Sequence, residues 1–269
     1  MDRYNEAKLL YEQGKSLRQI SEELNINRKL LSKKLKEDGI IIRDINKNNV
    51  PKSKRIHKLN DKIFETIDTE EKAYWLGFLY ADGYVNSNKG IELSLKESDY
   101  EHLIKFQQFM GCDNNIVYRP VQKAYRIGIY SKKIAQDLIN LGCVQAKSLI
   151  LEFPTEEQVP KHLVPHFMRG YFDGDGSLTF SQGQLRFSVL GTSKFLDIYE
   201  SFILNCLDRK TSNKRSIRSD SIVESIQYGG NTQVFKIFNF LYNDATIYLE
   251  RKHAKYIAVL GQKEDNTKS

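Results

Sequence analysis

YWLGFLYADGYV, residues 74–85, returns 93 residues later as FMRGYFDGDGSL, residues 167–178. Each copy reads as an apolar helix ending on Asp-Gly, at Asp82-Gly83 and Asp175-Gly176. Gly77 with Ala81, and Gly170 with Gly174, are small residues four apart, so each pair shares one helical face. Such a face lets two backbones approach closely. A glycine inside a helix costs about 0.5–1 kcal/mol relative to alanine. Gly77, Gly170 and Gly174 therefore require a packing reason, and mutual packing of the two helices supplies one. Gly83 and Gly176 read as ordinary C′ terminators.

Each copy heads a matching series. The alternating strand Ile91–Lys96 has its counterpart in Leu185–Val189. Amphipathic helices follow near Tyr100–Met110 and Lys194–Leu207. Strand-like runs come next, at 115–120 with 124–130 and at 213–218 with 222–228, then helices near Ser131–Leu141 and Thr232–Leu241. The order in each half is α-β-β-α-β-β-α, and a period this long points to duplication of a compact unit. The expected fold class is α+β: two pseudosymmetric halves, 64–155 and 156–269, packed through the repeated helices, plus a small all-α domain at 1–45.

That small domain carries the charge. The chain has a formal net charge of +7. Residues 1–58 hold 15 Lys and Arg against 8 Asp and Glu, so the whole surplus lies there. Localised positive charge points to a polyanionic partner. Three short helices are expected: Asn5–Gln13, Leu17–Leu24 capped by Ser16, and a third capped by Asn27. In the third, Leu31 and Leu35 point inward and Arg28, Lys29, Ser32, Lys33 and Lys36 outward. A short helix, a tight turn and a basic second helix form the pattern of a helix-turn-helix, whose second helix enters the major groove. GKSLRQISEELNINRKLLSKKLK resembles the resolvase-type and regulator-type modules. Residues 46–63 read as a basic linker in which Lys52, Lys54 and Arg55 could track phosphates.

Other classes recede. No apolar run approaches the ~18 residues of a membrane span, and the first residues have no signal-peptide pattern. Cys112, Cys143 and Cys206 are odd in number and far apart, which argues against a zinc ribbon or a disulfide framework and suggests a reducing, cytoplasmic setting. His162 and His166 have metal spacing, but Pro165 is expected to start a helix between them.

The chemistry resides in Asp82 and Asp175. An aspartate in the last turn faces the negative end of the helix dipole. Two parallel helices would also bring both carboxylates together. A divalent cation offsets both effects, and hard oxygen ligands with waters retained suit magnesium. WLGFLYADG and MRGYFDGDG both resemble the nine-residue motif of the LAGLIDADG homing endonucleases, in the single-chain, two-motif form. The resemblance covers roughly Phe64 to Lys255. It implies that Asp82 and Asp175 are metal ligands and catalytic, and that Lys147 and Lys252 stand near the attacking water, with Arg251 and Lys255 as competitors for Lys252. It also implies Mg2+ as cofactor, with Mn2+ able to substitute and Ca2+ supporting binding without cleavage. The partner it implies is double-stranded DNA, expected to be cut on both strands with a stagger at a long asymmetric site, by a monomer with no obligate protein partner. A non-cleaving DNA-binding regulator and an intron RNA maturase are the alternative readings of the same fold. Asp173, at the sixth motif position where the first copy has Tyr80, is secondary. Glu97 could contact metal-bound water, with Leu190 as its counterpart.

Strand alternation assigns the DNA-reading face. Glu92, Ser94 and Lys96 are expected outward in the first half, Gln184, Arg186 and Ser188 in the second. Arg126 and Tyr130 are expected outward too. Basic clusters at Arg119, Lys123 and Arg126, and at Lys210, Lys214, Arg215 and Arg218, mark two hairpins for the same face.

Overall fold

The computed structural model describes residues 3–40, 42, 57–143, 150–181, 183–213, 215–217 and 223–267. The chain divides into two units, Met1–Ile56 and His57–Ser269.

The first unit contains α1 (Arg3–Glu12), α2 (Leu17–Leu24) and α3 (Arg28–Glu37). Ser16 accepts a hydrogen bond from the Gln19 amide while the Gln19 side chain accepts from the Ser16 amide, a reciprocal cap that starts α2. Asn25, at φ 49°, takes the left-handed conformation that ends it. The Asn27 side chain accepts from the Lys29 and Leu30 amides and starts α3. Ala7, Tyr11, Ile20, Ile26, Leu31 and Leu35 form the small core. Arg28, Lys29, Lys33 and Lys36 are exposed, and Ser32 is half-buried.

The second unit contains α4 (Glu70–Asp82), β1 (Gly83–Asn86), β2 (Gly90–Lys96), α5 (Tyr100–Phe109), β3 (Ile116–Arg119), β4 (Ala124–Ile129) and α6 (Lys132–Asn140). It continues with α7 (Val164–Asp175), β5 (Gly176–Ser181), β6 (Gln184–Gly191), α8 (Ser193–Leu207), β7 (Ser216–Ile217), β8 (Glu224–Gly229), α9 (Asn231–Tyr242) and α10 (Glu250–Thr267). Both sheets are antiparallel, ordered β1-β2-β4-β3 and β5-β6-β8-β7. Two pseudosymmetric α-β-β-α-β-β-α halves are thus present, with α10 as an addition the sequence pattern did not foretell. Residues 57–63, read as linker, pack on the first half: the Asn60 amide donates to the Met110 carbonyl at 3.2 Å, and Leu59 and Ile63 pack against the core.

α4 and α7 lie at the centre. Eight successive residues, Ala73–Tyr80, are buried, as are Phe167–Asp173, so these helices are enclosed on every side. A Cβ at Gly77 would lie 2.0 Å from the Phe167 carbonyl oxygen and 2.9 Å from the Tyr171 nitrogen. A Cβ at Gly170 would lie 1.9 Å from the Tyr74 carbonyl oxygen. At Gly174 the obstacle would be the Ala81 Cβ at 2.3 Å. The contacts run Tyr74 to Gly170, Gly77 to Tyr171 and Ala81 to Gly174, so the helices are parallel and touch backbone to backbone. Gly83 and Gly176 are not the expected C′ terminators. At φ −72° and −83° their backbones are extended. A Cβ there would meet the carbonyl oxygen four residues back, Leu79 at 2.7 Å and Phe172 at 2.5 Å.

Gly77→Ala and Gly170→Ala are each expected to destabilise the fold by roughly 1–3 kcal/mol through overpacking against fixed backbone. Gly229→Ala, where a Cβ meets nothing within 4 Å, should stay within about 0.5 kcal/mol of the parent. Equal urea midpoints for the three variants would refute the backbone contact.

Candidate active site

Asp82 and Asp175 are the final residues of α4 and α7, and each immediately precedes the first strand of its sheet. Because the helices are parallel, both exposed carboxylates stand at one end of the pair. Asp82 Oδ2 lies 3.3 Å from the point a Gly174 Cβ would occupy. Gly174 therefore leaves room for one carboxylate beside the backbone that carries the other. Two buried groups sense both acids. The Tyr171 hydroxyl is pushed up by burial first and then by Asp175 and Asp82. The Lys252 ammonium has both among its charged neighbours.

A cleft of about 200 Å³ opens beside Asp175, lined by Tyr80, Ala81, Tyr171, Leu190 and Thr192 among others. Its polar walls are held in place: Tyr171 donates to the Leu190 carbonyl at 2.9 Å, Tyr80 to the Leu141 carbonyl at 2.5 Å, and Thr192 to the Leu151 carbonyl. Among the described residues no group of three His, Cys, Asp or Glu side chains converges as a metal cage. Two carboxylates with the remaining positions left to water and substrate oxygens fit magnesium better than a cation that requires a full protein cage.

Lys252 comes from α10 and is only 3% exposed. Its ammonium donates to the carbonyls of Phe172 and, at 2.6 Å, Gly176. A cation on the Phe172 carbonyl, in the last turn of α7, offsets the dipole that Asp175 aggravates. The two competing residues are engaged elsewhere: Arg251 pairs with Asp99 at 3.0 Å, and Lys255 donates to the Leu178 carbonyl at 2.9 Å. Lys147 lies outside the described residues, as do Lys52, Lys54, Arg55, Lys214 and Arg218.

Asp173 is fully buried. It accepts hydrogen bonds from Tyr74 at 2.8 Å, from the Leu249 amide at 2.7 Å and from Tyr242. Burial raises its pKa against the opposing effects of Lys252 and these donors. It ties together α4, α7, α9 and the residue that precedes α10. Sequence reasoning missed Arg169, which replaces Leu76 of the first copy. The fully buried guanidinium donates to the carbonyls of Ile247 at 2.9 Å and Leu241 at 2.8 Å, and to Glu70 at 2.6 Å. An arginine inside an otherwise apolar motif was the available signal, since buried charges are retained only with partners.

Register corrects one expected equivalence. Gly83 pairs with Leu93, and Gly176 pairs with Val189. Leu93 and Val189 are therefore equivalent, so Leu190 matches Ser94 and Glu97 matches Ser193. Glu97 itself is exposed and opens a short 3-10 turn ahead of α5.

The expected outward residues are largely found outward. Ser94, Lys96, Arg119, Lys123, Gln184 and Arg186 are exposed, while Glu92, Arg126 and Ser188 are half-buried on the same faces. Arg126 is paired with Glu92. Arg215 departs from the expectation: it is held by Asp197 at 2.8 Å, Glu200 at 3.0 Å and Glu224 at 3.1 Å. Burial opposes its charge, yet the three carboxylates raise its pKa overall. Strand alternation could not foresee this because the partners come from α8 and β8.

No family model and no curated protein matches the chain. Among solved structures it is similar to the I-LtrWI LAGLIDADG homing endonuclease bound to target DNA, at 10% identity and a TM-score of 0.44, over 77% of this chain and 92% of that one. It is also similar to I-SmaMI bound to an uncleaved DNA target with calcium ions, at 15% identity and a TM-score of 0.46, over 77% and 93%. A third is the N-terminal LAGLIDADG domain of DUF199/WhiA, at 14% identity and a TM-score of 0.44, over 68% and 89%.

Burial lowers the Lys252 pKa from 10.5 to about 8, despite the carboxylates that raise it. The unfolded chain therefore binds the extra proton between these values, and stability from this group rises with pH there. Below about pH 8 the lysine is protonated in both states and the burial penalty is fully present. Relative to Lys252→Met, the parent should gain about 2 kcal/mol between pH 8 and 10. Urea unfolding of both proteins across that range in metal-free buffer measures it, and parallel profiles would contradict it.

Proposed function

We propose that this chain is a divalent-metal-dependent endonuclease of the LAGLIDADG type that cuts double-stranded DNA at a long asymmetric site. The observation that carries the reading is the pair of exposed carboxylates, Asp82 and Asp175, held at one end of two parallel helices where both sheets begin. Their juxtaposition is unfavourable in isolation, and its natural resolution is a shared cation. Asp82 and Asp175 would hold Mg2+, which supplies an activated water and charge stabilisation at the leaving oxygen. Mn2+ should substitute, and Ca2+ should support binding alone.

The chain's own residues then divide the work. Lys252 anchors the end of α7 and thereby fixes Asp175. Lys147 is assigned to the attacking water by the family resemblance. The outward faces of the two sheets contact base edges and phosphates of one half-site each, through residues such as Lys96, Arg119, Lys123 and Arg126 in the first half and Gln184, Arg186 and Ser188 in the second. Two non-identical halves in one chain permit an asymmetric target without a second subunit. α2 and α3 act as a helix-turn-helix, with Arg28, Lys29, Ser32, Lys33 and Lys36 on an adjoining stretch of duplex. Retention of both motif acids, each exposed, favours cleavage over a binding-only role.

Asp82→Asn and Asp175→Asn should each abolish magnesium-dependent double-strand cleavage while calcium-supported binding persists. Full cutting by either variant would remove these residues from the mechanism. Deleting residues 1–56 should flatten the dependence of log K on log[salt] by about 0.9 for each phosphate that the first unit neutralises, with little change in the single-turnover rate at saturation. An unaltered slope would mean that the first unit is not on the DNA.

A further inference from the structure

The backbones of the two sheets match, but their outward chemistry does not. Leu93 pairs with Ile127 in the first sheet, and Val189 pairs with Ile226 in the second. With Leu93 equivalent to Val189, Ile127 is equivalent to Ile226. From that register Tyr84 corresponds to Ser177, Glu92 to Ser188, Arg126 to Ser225, Gly128 to Gln227 and Tyr130 to Gly229. At four of these five places the first sheet carries the larger or charged group; the fifth is the exception. At Gly128 the first sheet has no side chain and the second carries glutamine.

The exception is informative. Gly128 lies inside β4, where glycine weakens a strand. Its φ is not among the positive ones. A Cβ built on it meets nothing within 4 Å. Neither its backbone conformation nor packing against the described residues calls for glycine, and glycine within a strand is one way to admit close approach of something outside the chain. Gly128 also lines a cleft of about 130 Å³, together with Tyr84, Asn86, Glu92, Arg126 and Tyr130. The two tyrosines are exposed, at 55% and 77%, and stand at its margins. Arg126 enters from the same outward face, with its guanidinium paired to Glu92 through Nη2. That pairing fixes the fork while leaving further N–H donors for a ligand.

We propose that this cleft is a base-reading subsite, in which Arg126, held by Glu92, reads a guanine in the first half-site while Gly128 admits the base edge. The inference rests on the DNA-binding reading above. Arginine presents two N–H groups in the geometry of guanine O6 and N7, the commonest specific contact in the major groove. Glu92 disfavours a phosphate as the ligand, because its own charge opposes an anion and already half-neutralises the arginine. A base edge with two acceptors and no net charge suits the pair. In the second sheet Ser177, Ser188, Ser225 and Gln227 take the matching places.

The test is selection from a pool of randomised DNA duplexes by the full-length chain in calcium, followed by the same selection with Arg126→Ala, Gly128→Thr and Ser225→Ala. The wild type should enrich a motif with guanine at one position of one half. Arg126→Ala should lose preference there by about 10- to 100-fold, with the remaining positions intact. Gly128→Thr should lose the same position while its thermal midpoint is unchanged or raised, because threonine suits a strand and a Cβ there meets no atom of the chain. Ser225→Ala should leave that position unaffected. A uniform weakening of the motif in Arg126→Ala would identify a phosphate contact and overturn the inference. So would an unaltered motif, or a Gly128→Thr protein that selects as the wild type does. Failure of the wild type to enrich any motif would sink the DNA reading, and this inference with it.

Discussion

Direct backbone contact between α4 and α7 positions both sheets and both motif aspartates. At Gly77 and Gly170 the carbonyl of one helix occupies the space a Cβ of the other would need. Such contact aligns two helix dipoles in parallel and brings two aspartates to their negative ends, an arrangement that repels itself. The surrounding residues answer that repulsion at both ends. Lys252 donates to the Phe172 carbonyl in the last turn of α7 and to the Gly176 carbonyl just beyond it. At the opposite end, Glu70 and Glu71 fall in the first turn of α4, where negative charge is favourable, and Glu70 binds the buried Arg169.

Duplication set the frame, and the two halves then diverged within it. Tyr80 and Asp173 occupy the same motif position. Tyr80 donates to the Leu141 carbonyl, whereas Asp173 accepts from the Leu249 amide. The equivalent carbonyls of Leu79 and Phe172 are met by the Cys143 thiol at 3.5 Å and by the Lys252 ammonium. Each exchange preserves the link between the central helix and the chain that follows the half, but with opposite polarity or different charge. Among the described residues, a buried lysine meets the end of α7 and a thiol the end of α4. Arginine use in the sheets shows a comparable local balance: Arg126 is matched by Glu92, and Arg215 by Asp197, Glu200 and Glu224. Residues beyond 58 hold equal numbers of acids and bases, so contact with a polyanion there must come from placement.

Much of the fold was legible because hydrophobic period and cap chemistry act locally. The bounds of α2 follow from Ser16 and Asn25, and strand alternation placed Leu93, Leu95, Phe187 and Val189 inside. α10 was not legible: its first turns carry charged residues whose partners, Asp99 for Arg251 and Lys105 for Glu250, lie about 150 residues away. The burial of Lys252 and the enclosure of Arg215 escaped for the same reason.

The internal repeat, the order of elements in each half, the two aspartates and the basic N-terminal helices could be read from the chain alone, because each is written in spacing of a few residues or in direct self-similarity. Only the tertiary structure decided that Gly77 and Gly170 bear the closest approach, that Asp173 is a buried tie, and that Leu190 matches Ser94. It also decided that Gly128 opens onto empty space beside Arg126. Those features depend on which atoms meet across distant parts of the chain, and spacing along a sequence carries no record of that distance.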